Sequence, residues 1–209
     1  MSYDEHDAAL DAMYEQIGRE LYPDHKVQAI GEFAAERLRS YYVANPRVMR
    51  PAVESLQEGK RLAEARHYAA AVVFFTSAVE LLLKTTLLKP VVHGLIHSDG
   101  LADIVVQHAL GQTGFDRYTD LLARLFAQYA SIEIKTISRT EADEPLLVEC
   151  TALQRLRNQI IHQGATCTEV QASKALLVSV AVYDLIVAPM LFAIGLTVIE
   201  EGAIQERQF

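Results

Sequence analysis

The sequence predicts an all-α fold: an up-and-down bundle of four to five core helices with an extra N-terminal helical segment. Three observations carry this. Hydrophobic residues make up 51% of the 209 positions, enough for a large core. Gly (10) and Pro (6) are few, and Trp is absent, while Ala and Leu are plentiful. Apolar residues recur at helical spacing in long runs bounded by Pro or Gly. Residues 1–50 form the extension and 51–209 the bundle.

The elements follow in order. Residues 5–41 read as helical, because Leu10, Met13, Ile17 and Leu21 fall on one face, with a break expected at Tyr22-Pro23-Asp24. Asn45-Pro46 marks a boundary, since a residue preceding proline is pushed out of the helical region. Arg50-Pro51 then looks like a fresh start with proline in the first turn. The helix over about 51–65 is amphipathic, with Val53, Leu56 and Leu62 set among charges. The next, about His67 to Leu88, has little polar face and belongs at the centre. Glu80 and Lys84, four apart on one face, suggest a structural ion pair, and Pro90 is expected to close the helix.

Residues 89–114 read as a loop-rich connection with a short helix at about 101–110. A helix over 115–130 follows. Ser131 to Pro145 is polar and irregular, with Ile132, Ile134 and Ile137 suggesting a short extended piece. A helix from about Leu146 to Gln163 should stop at Gly164. The last helix is expected over about 169–199. Its stretch Ala175 to Ile199 is long and apolar enough to cross a bilayer, but Asp184 and Pro189 near its middle favour a buried core helix. Asp184 is expected to be buried and to have an arginine or backbone donor as its partner.

The formal net charge of −8 leaves no basic footprint for nucleic acid at whole-chain level. Any such contact must come from a local cluster or from charges pooled across an oligomer. Two cysteines, Cys150 and Cys167, do not make a disulfide scaffold, so free thiols are expected. The start MSYDEHDAAL is acidic and lacks an apolar core, so no signal peptide is expected and the location implied is cytoplasmic.

The pointed chemistry lies in Arg157-Asn158-Gln159-Ile160-Ile161-His162, followed by Gln163 and Gly164. Cutting RNA with its own 2′-hydroxyl needs a base, an acid and a cation for the crowded phosphorane. Histidine suits the proton steps, because it titrates near neutrality. Arginine suits the phosphate, because its planar fork stays charged. Positions five apart lie about 140° apart on a regular helix. Arg157 and His162 therefore meet only if the arginine bends, if the last turn opens, or if two copies bring their helix ends together. A two-fold dimer would place two arginines and two histidines in one groove. The bland alternative is a helix-ending histidine beside an arginine in a surface ion pair.

The string Leu156 to Gly164 resembles the signature of the HEPN superfamily, in which an arginine and a polar residue precede a histidine by four to six positions. Ala70 to Leu88, with Ala78-Val79-Glu80-Leu81-Leu82-Leu83-Lys84, is similar to that family's central helix, and the final apolar helix fits as well. The resemblance covers about residues 51–200. It implies a dimerising bundle of four or five helices and a metal-independent endoribonuclease, of the kind found in toxin–antitoxin, defence and RNA-processing systems. Arg157 and His162 match the catalytic pair and Asn158 the supporting polar position. The implied partners are RNA, a second copy of the chain and, in toxin systems, an antitoxin or nucleotidyltransferase. Some family toxins carry a modifiable tyrosine two residues after the histidine; here that position is Gly164. A catalytically silent module binding nucleotide or protein is the alternative within the family, and a helical scaffold with a coincidental motif is the alternative outside it.

Other constellations are weaker. His93 and His97 are four apart, but Gly94 lies between them and no glutamate does, so solvated or core-capping histidines are expected there rather than a metal site. His108 completes the unexplained connection. Glu80 has a second reading, as the residue that positions Arg157 from a neighbouring helix, with Lys84 beside it. No phosphate loop or nucleophile elbow is present, and no cofactor or metal is expected.

Overall fold

The computed structural model describes residues 5–96, 98–110, 115–140 and 142–208. The fold is an all-α bundle, with nine α-helical segments among the described residues and one small antiparallel hairpin. The helices are α1 (Glu5–Ala44), α2 (Arg50–Glu64), α3 (Tyr68–Glu80), α4 (Lys89–Leu95), α5 (Asp99–Leu110), α6 (Phe115–Ala130), α7 (Leu146–Gln163), α8 (Glu169–Val182) and α9 (Ala188–Ala193). The strands are β1 (Leu196–Val198) and β2 (Ile204–Glu206), in register Leu196 to Glu206 and Val198 to Ile204.

The apolar helix α3 sits at the centre because almost every face of it is hydrophobic. It packs against α2, α7 and α8, and Ala71, Val72 and Phe75 are fully sealed. Gly59 of α2 makes the α2–α3 approach: a Cβ built there would lie 2.6 Å from the Phe75 ring. Gly59→Leu should therefore overpack this contact and cost about 1–3 kcal/mol, read as a lowered melting temperature.

Four expectations need correction. First, the N-terminal helix is not broken at Tyr22-Pro23-Asp24; α1 runs on to Ala44. Second, Pro90 does not close the central helix. A π-helical turn spans Leu81–Leu88 and α4 begins with Pro90 in its first turn, so the helical path continues to Leu95. Proline lacks the N–H that would bond back four residues to Thr86. That carbonyl instead accepts from the Tyr42 hydroxyl at 2.5 Å, which docks the end of α1 on the bundle. Tyr42→Phe should leave a buried carbonyl unmet and cost about 1–3 kcal/mol in chemical denaturation.

Third, the last helix stops at Ala193. It too contains a π-helical turn (Tyr183–Val187) just before a proline, Pro189, in the first turn of α9. The chain then turns at Gly195 (φ 78°) into the hairpin. Gly202 (φ 75°) lies so close to α2 that a Cβ would sit 2.6 Å from Val53. Fourth, Asp184 is exposed rather than buried. It occupies the outer side of the π turn, while Ile186 and Val187 face inward, so solvent supplies what a buried partner was expected to supply.

Among the described residues of 131–145 there is no strand, yet Ile134 is fully buried and Ile132 and Ile137 pack on the core. Among the described residues two helical paths, Tyr68–Gly94 and Glu169–Ala193, are long and apolar enough to cross a membrane; 61% and 44% of their most apolar stretches are buried within the bundle. Cys150 and Cys167 are free thiols, and Cys150 is buried.

Candidate functional site at the end of α7

Helix α7 begins after Pro145 and keeps helical geometry through Gln163. Gly164 ends it in the left-handed conformation (φ 67°, ψ 27°), which a Cβ would strain. Its N–H bonds to the Ile160 carbonyl at 3.1 Å, and the Ala165 N–H bonds to that of Gln159 at 3.3 Å. The last turn therefore stays closed, and His162 is fixed on it with its side chain exposed.

A short loop then leads to α8, which opens with a capping box. Thr168 Oγ1 accepts from the Gln171 N–H at 3.3 Å, and Gln171 Oε1 accepts from the Thr168 N–H at 2.9 Å. The Tyr68 hydroxyl donates to Glu169 Oε2 at 3.2 Å, so the start of α3 meets the start of α8 beside the end of α7. Further along, Gln154 Nε2 donates to Glu80 Oε1 at 3.2 Å, which ties the middle of α7 to the end of α3. The two helices run antiparallel.

Of the residues singled out in the sequence, Arg157, Asn158 and His162 share the last two turns of α7. Asn158 and His162 are exposed and Arg157 is half-buried. Arg157 Nη1 donates to Asn158 Oδ1 at 3.1 Å, whereas its Nε is sealed from solvent and has no partner among the described residues. An unmet buried donor costs about 1–3 kcal/mol, so the guanidinium carries a standing demand for an acceptor. Glu80 bonds to Gln154 rather than to Arg157; it holds α7 itself, one turn before the arginine. Lys84 lies in the π-helical turn, beyond the end of α3. His97 and the side chain of His108 lie outside the described residues, and His93 sits against Tyr41 of α1. Among the described residues no three His, Cys, Asp or Glu side chains gather as a metal site would require.

No family model matches the chain, and no curated protein or solved structure is significantly similar to it.

Three features escaped sequence reasoning. Arg66 (φ 62°) and His67 form the exposed α2–α3 turn at the same end of the bundle as His162. Arg155 on α7 is exposed and pairs with no acid among the described residues. The α2–α3 turn could have been noticed from its adjacent arginine and histidine, but nothing local reveals that it lies near the start of α8. The third feature is a buried ion pair at the other end of α7. Glu149 is 3% exposed, and Arg139 grips it through both Nε and Nη2 at 2.7 Å each. Lys174 of α8 stands 3.5 Å away. The Arg139 hydrogen bond holds the Glu149 carboxyl below its ordinary value, against the opposing effect of burial, and the charges of Arg139 and Lys174 add to the lowering. The pair clamps the irregular 131–145 segment to the start of α7 and so sets the helix whose far end carries the motif.

Proposed function

We propose that the chain is a metal-independent endoribonuclease of HEPN type, cytoplasmic and active as a homodimer, whose site forms where two α7 ends meet. Arg157 holds the scissile phosphate and stabilises its developing charge. One His162 takes the 2′-hydroxyl proton as that oxygen attacks phosphorus. The P–O5′ bond breaks, and the His162 of the second copy protonates the departing 5′-oxygen, leaving a 2′,3′-cyclic phosphate. Asn158 restrains the guanidinium.

The observation that carries this reading is the state of Arg157: held on one side by Asn158, unmet at Nε, and close along the helix to an exposed histidine. Exposed apolar groups around it, Ile161 (48%), Val170 (78%) and Leu177 (55%), suit a covered interface better than free solvent. Pooling Arg155 and Arg157 from two copies also offsets both the −8 charge of the chain and the negative end of the α7 dipole. A role in a toxin–antitoxin or defence system follows from the resemblance alone. The second reading is a silent HEPN-like module that binds nucleotide or protein. It is favoured by the closed last turn, which keeps Arg157 and His162 about 140° apart within one copy.

Mixing two inactive variants separates the two readings. Dimers formed from Arg157→Ala and His162→Ala subunits retain one arginine and one histidine in the shared groove. Some RNA cleavage should return on mixing if the groove is shared, with His162 as base and water protonating the departing 5′-oxygen in place of the second histidine. Mixtures that stay dead while wild type cleaves overturn the shared groove, and a wild type that leaves RNA intact supports the silent module.

A further inference from the structure

Roughly 30 Å from the α7 end, along the path from Tyr68 to Lys89, α1, α4 and α5 line a polar concavity of about 590 Å³. Its lining includes Arg37, Ser40, Tyr41, Lys89, His93 and Asp103. His93 is held inside it: its side chain is 11% exposed, and its ring lies against that of Tyr41, with centroids 5.1 Å apart. Its Nε2 is sealed from solvent and has no hydrogen bond. Asp103 Oδ1 comes within 3.5 Å but makes no hydrogen bond to the ring, and that side chain is 68% exposed.

The cations are arranged differently from ordinary surface pairs. Arg37 Nε donates to the Gly94 carbonyl at 2.8 Å, which fixes the guanidinium on the wall and leaves its terminal nitrogens without a hydrogen bond among the described residues. Lys89 pairs with no acid among the described residues. Burial, and then the Asp103 charge, raise the Tyr41 hydroxyl above its ordinary value, so it stays protonated and able to donate. Two cations, a hydroxyl, a phenol and an unmet imidazole nitrogen thus line one hollow of an acidic protein, with a single exposed carboxylate at the rim.

We propose that this concavity binds a small phosphate-bearing molecule. Phosphate suits it because its oxygens accept from several donors at once, and because it carries enough charge to displace Asp103 from His93. A carboxylate or a chloride ion would meet fewer of these donors.

The test is titration calorimetry of the full chain with inorganic phosphate and with glycerol phosphate, against chloride at matched ionic strength to remove screening. Saturable binding of either phosphate is expected. Tighter binding of the ester identifies an ester ligand, and tighter binding of the free ion identifies phosphate itself; both support the site. Lys89→Ala and His93→Gln should each weaken binding about tenfold or more, the loss of a charge-assisted or buried hydrogen bond. Asp103→Asn should tighten it, and His162→Ala should leave it unchanged, which separates this site from the α7 end. Circular dichroism checks each fold, and Lys89→Gln replaces Lys89→Ala if the latter fails to fold. No saturable phosphate heat, or equal binding by wild type and a folded Lys89 variant, overturns the proposal.

Discussion

Replacing His162 by alanine is expected to lower the rate of RNA cleavage by about 10²- to 10⁴-fold, the range for removing a positioned general acid or base. Replacing Arg157 by alanine is expected to cost about 10²- to 10³-fold, the scale of one preorganised charge-stabilising group. Neither should alter the fold. His162 is exposed at a capped helix end, and Arg157 bonds only to its exposed neighbour Asn158 among the described residues. The double variant should be little worse than the weaker single one, because groups acting on one transition state are not additive. Arg157→Lys should recover only part of the rate, since an ammonium ion lacks the planar fork. Single-turnover cleavage of a labelled single-stranded RNA provides the rates, with thermal melts run in parallel.

The second large effect is on stability. Glu149→Ala should cost about 3–5 kcal/mol, because it leaves Arg139, itself 17% exposed, as an uncompensated charge beneath the surface. Replacing both partners, as Arg139→Met with Glu149→Leu, should restore most of the loss. The pair also dictates an acid response. The Glu149 carboxyl is held below its ordinary 4.5 in the folded chain. Its contribution is therefore fully present above that ordinary value and is lost as pH falls through the lower folded value. Wild type should lose stability over that acid range more steeply than the double variant does. Parallel slopes from chemical denaturation across pH would contradict the assignment.

Much of the fold was legible in the sequence, for reasons that belong to individual residues. Pro51 and Gly164 mark the ends of α2 and α7 because each fits one special backbone position. The central placement of α3 follows from its lack of a polar face. The π-helical turns were not legible, because periodicity at 3.6 residues treats Pro90 and Pro189 as stops. Nothing near Pro90 announces that Tyr42, 44 residues before Thr86, will meet the freed carbonyl. The hairpin was missed because each strand has three residues, too few for alternation to register. Asp184 reads as buried because its neighbours are apolar, although one outward position on a buried helix is enough to hold it in water. At the candidate site, Arg157, Asn158 and His162 were visible as a string. The Arg139–Glu149 clamp, the Gln154–Glu80 bond and the Tyr68–Glu169 bond depend on tertiary contacts that no local pattern encodes.

End-group analysis bears most directly on the central claim. Single-stranded RNA incubated with the wild-type chain in excess chelator should yield fragments with 2′,3′-cyclic phosphate and 5′-hydroxyl ends, and His162→Ala should yield none. Intact RNA, or the same fragments from wild type and His162→Ala, would contradict it.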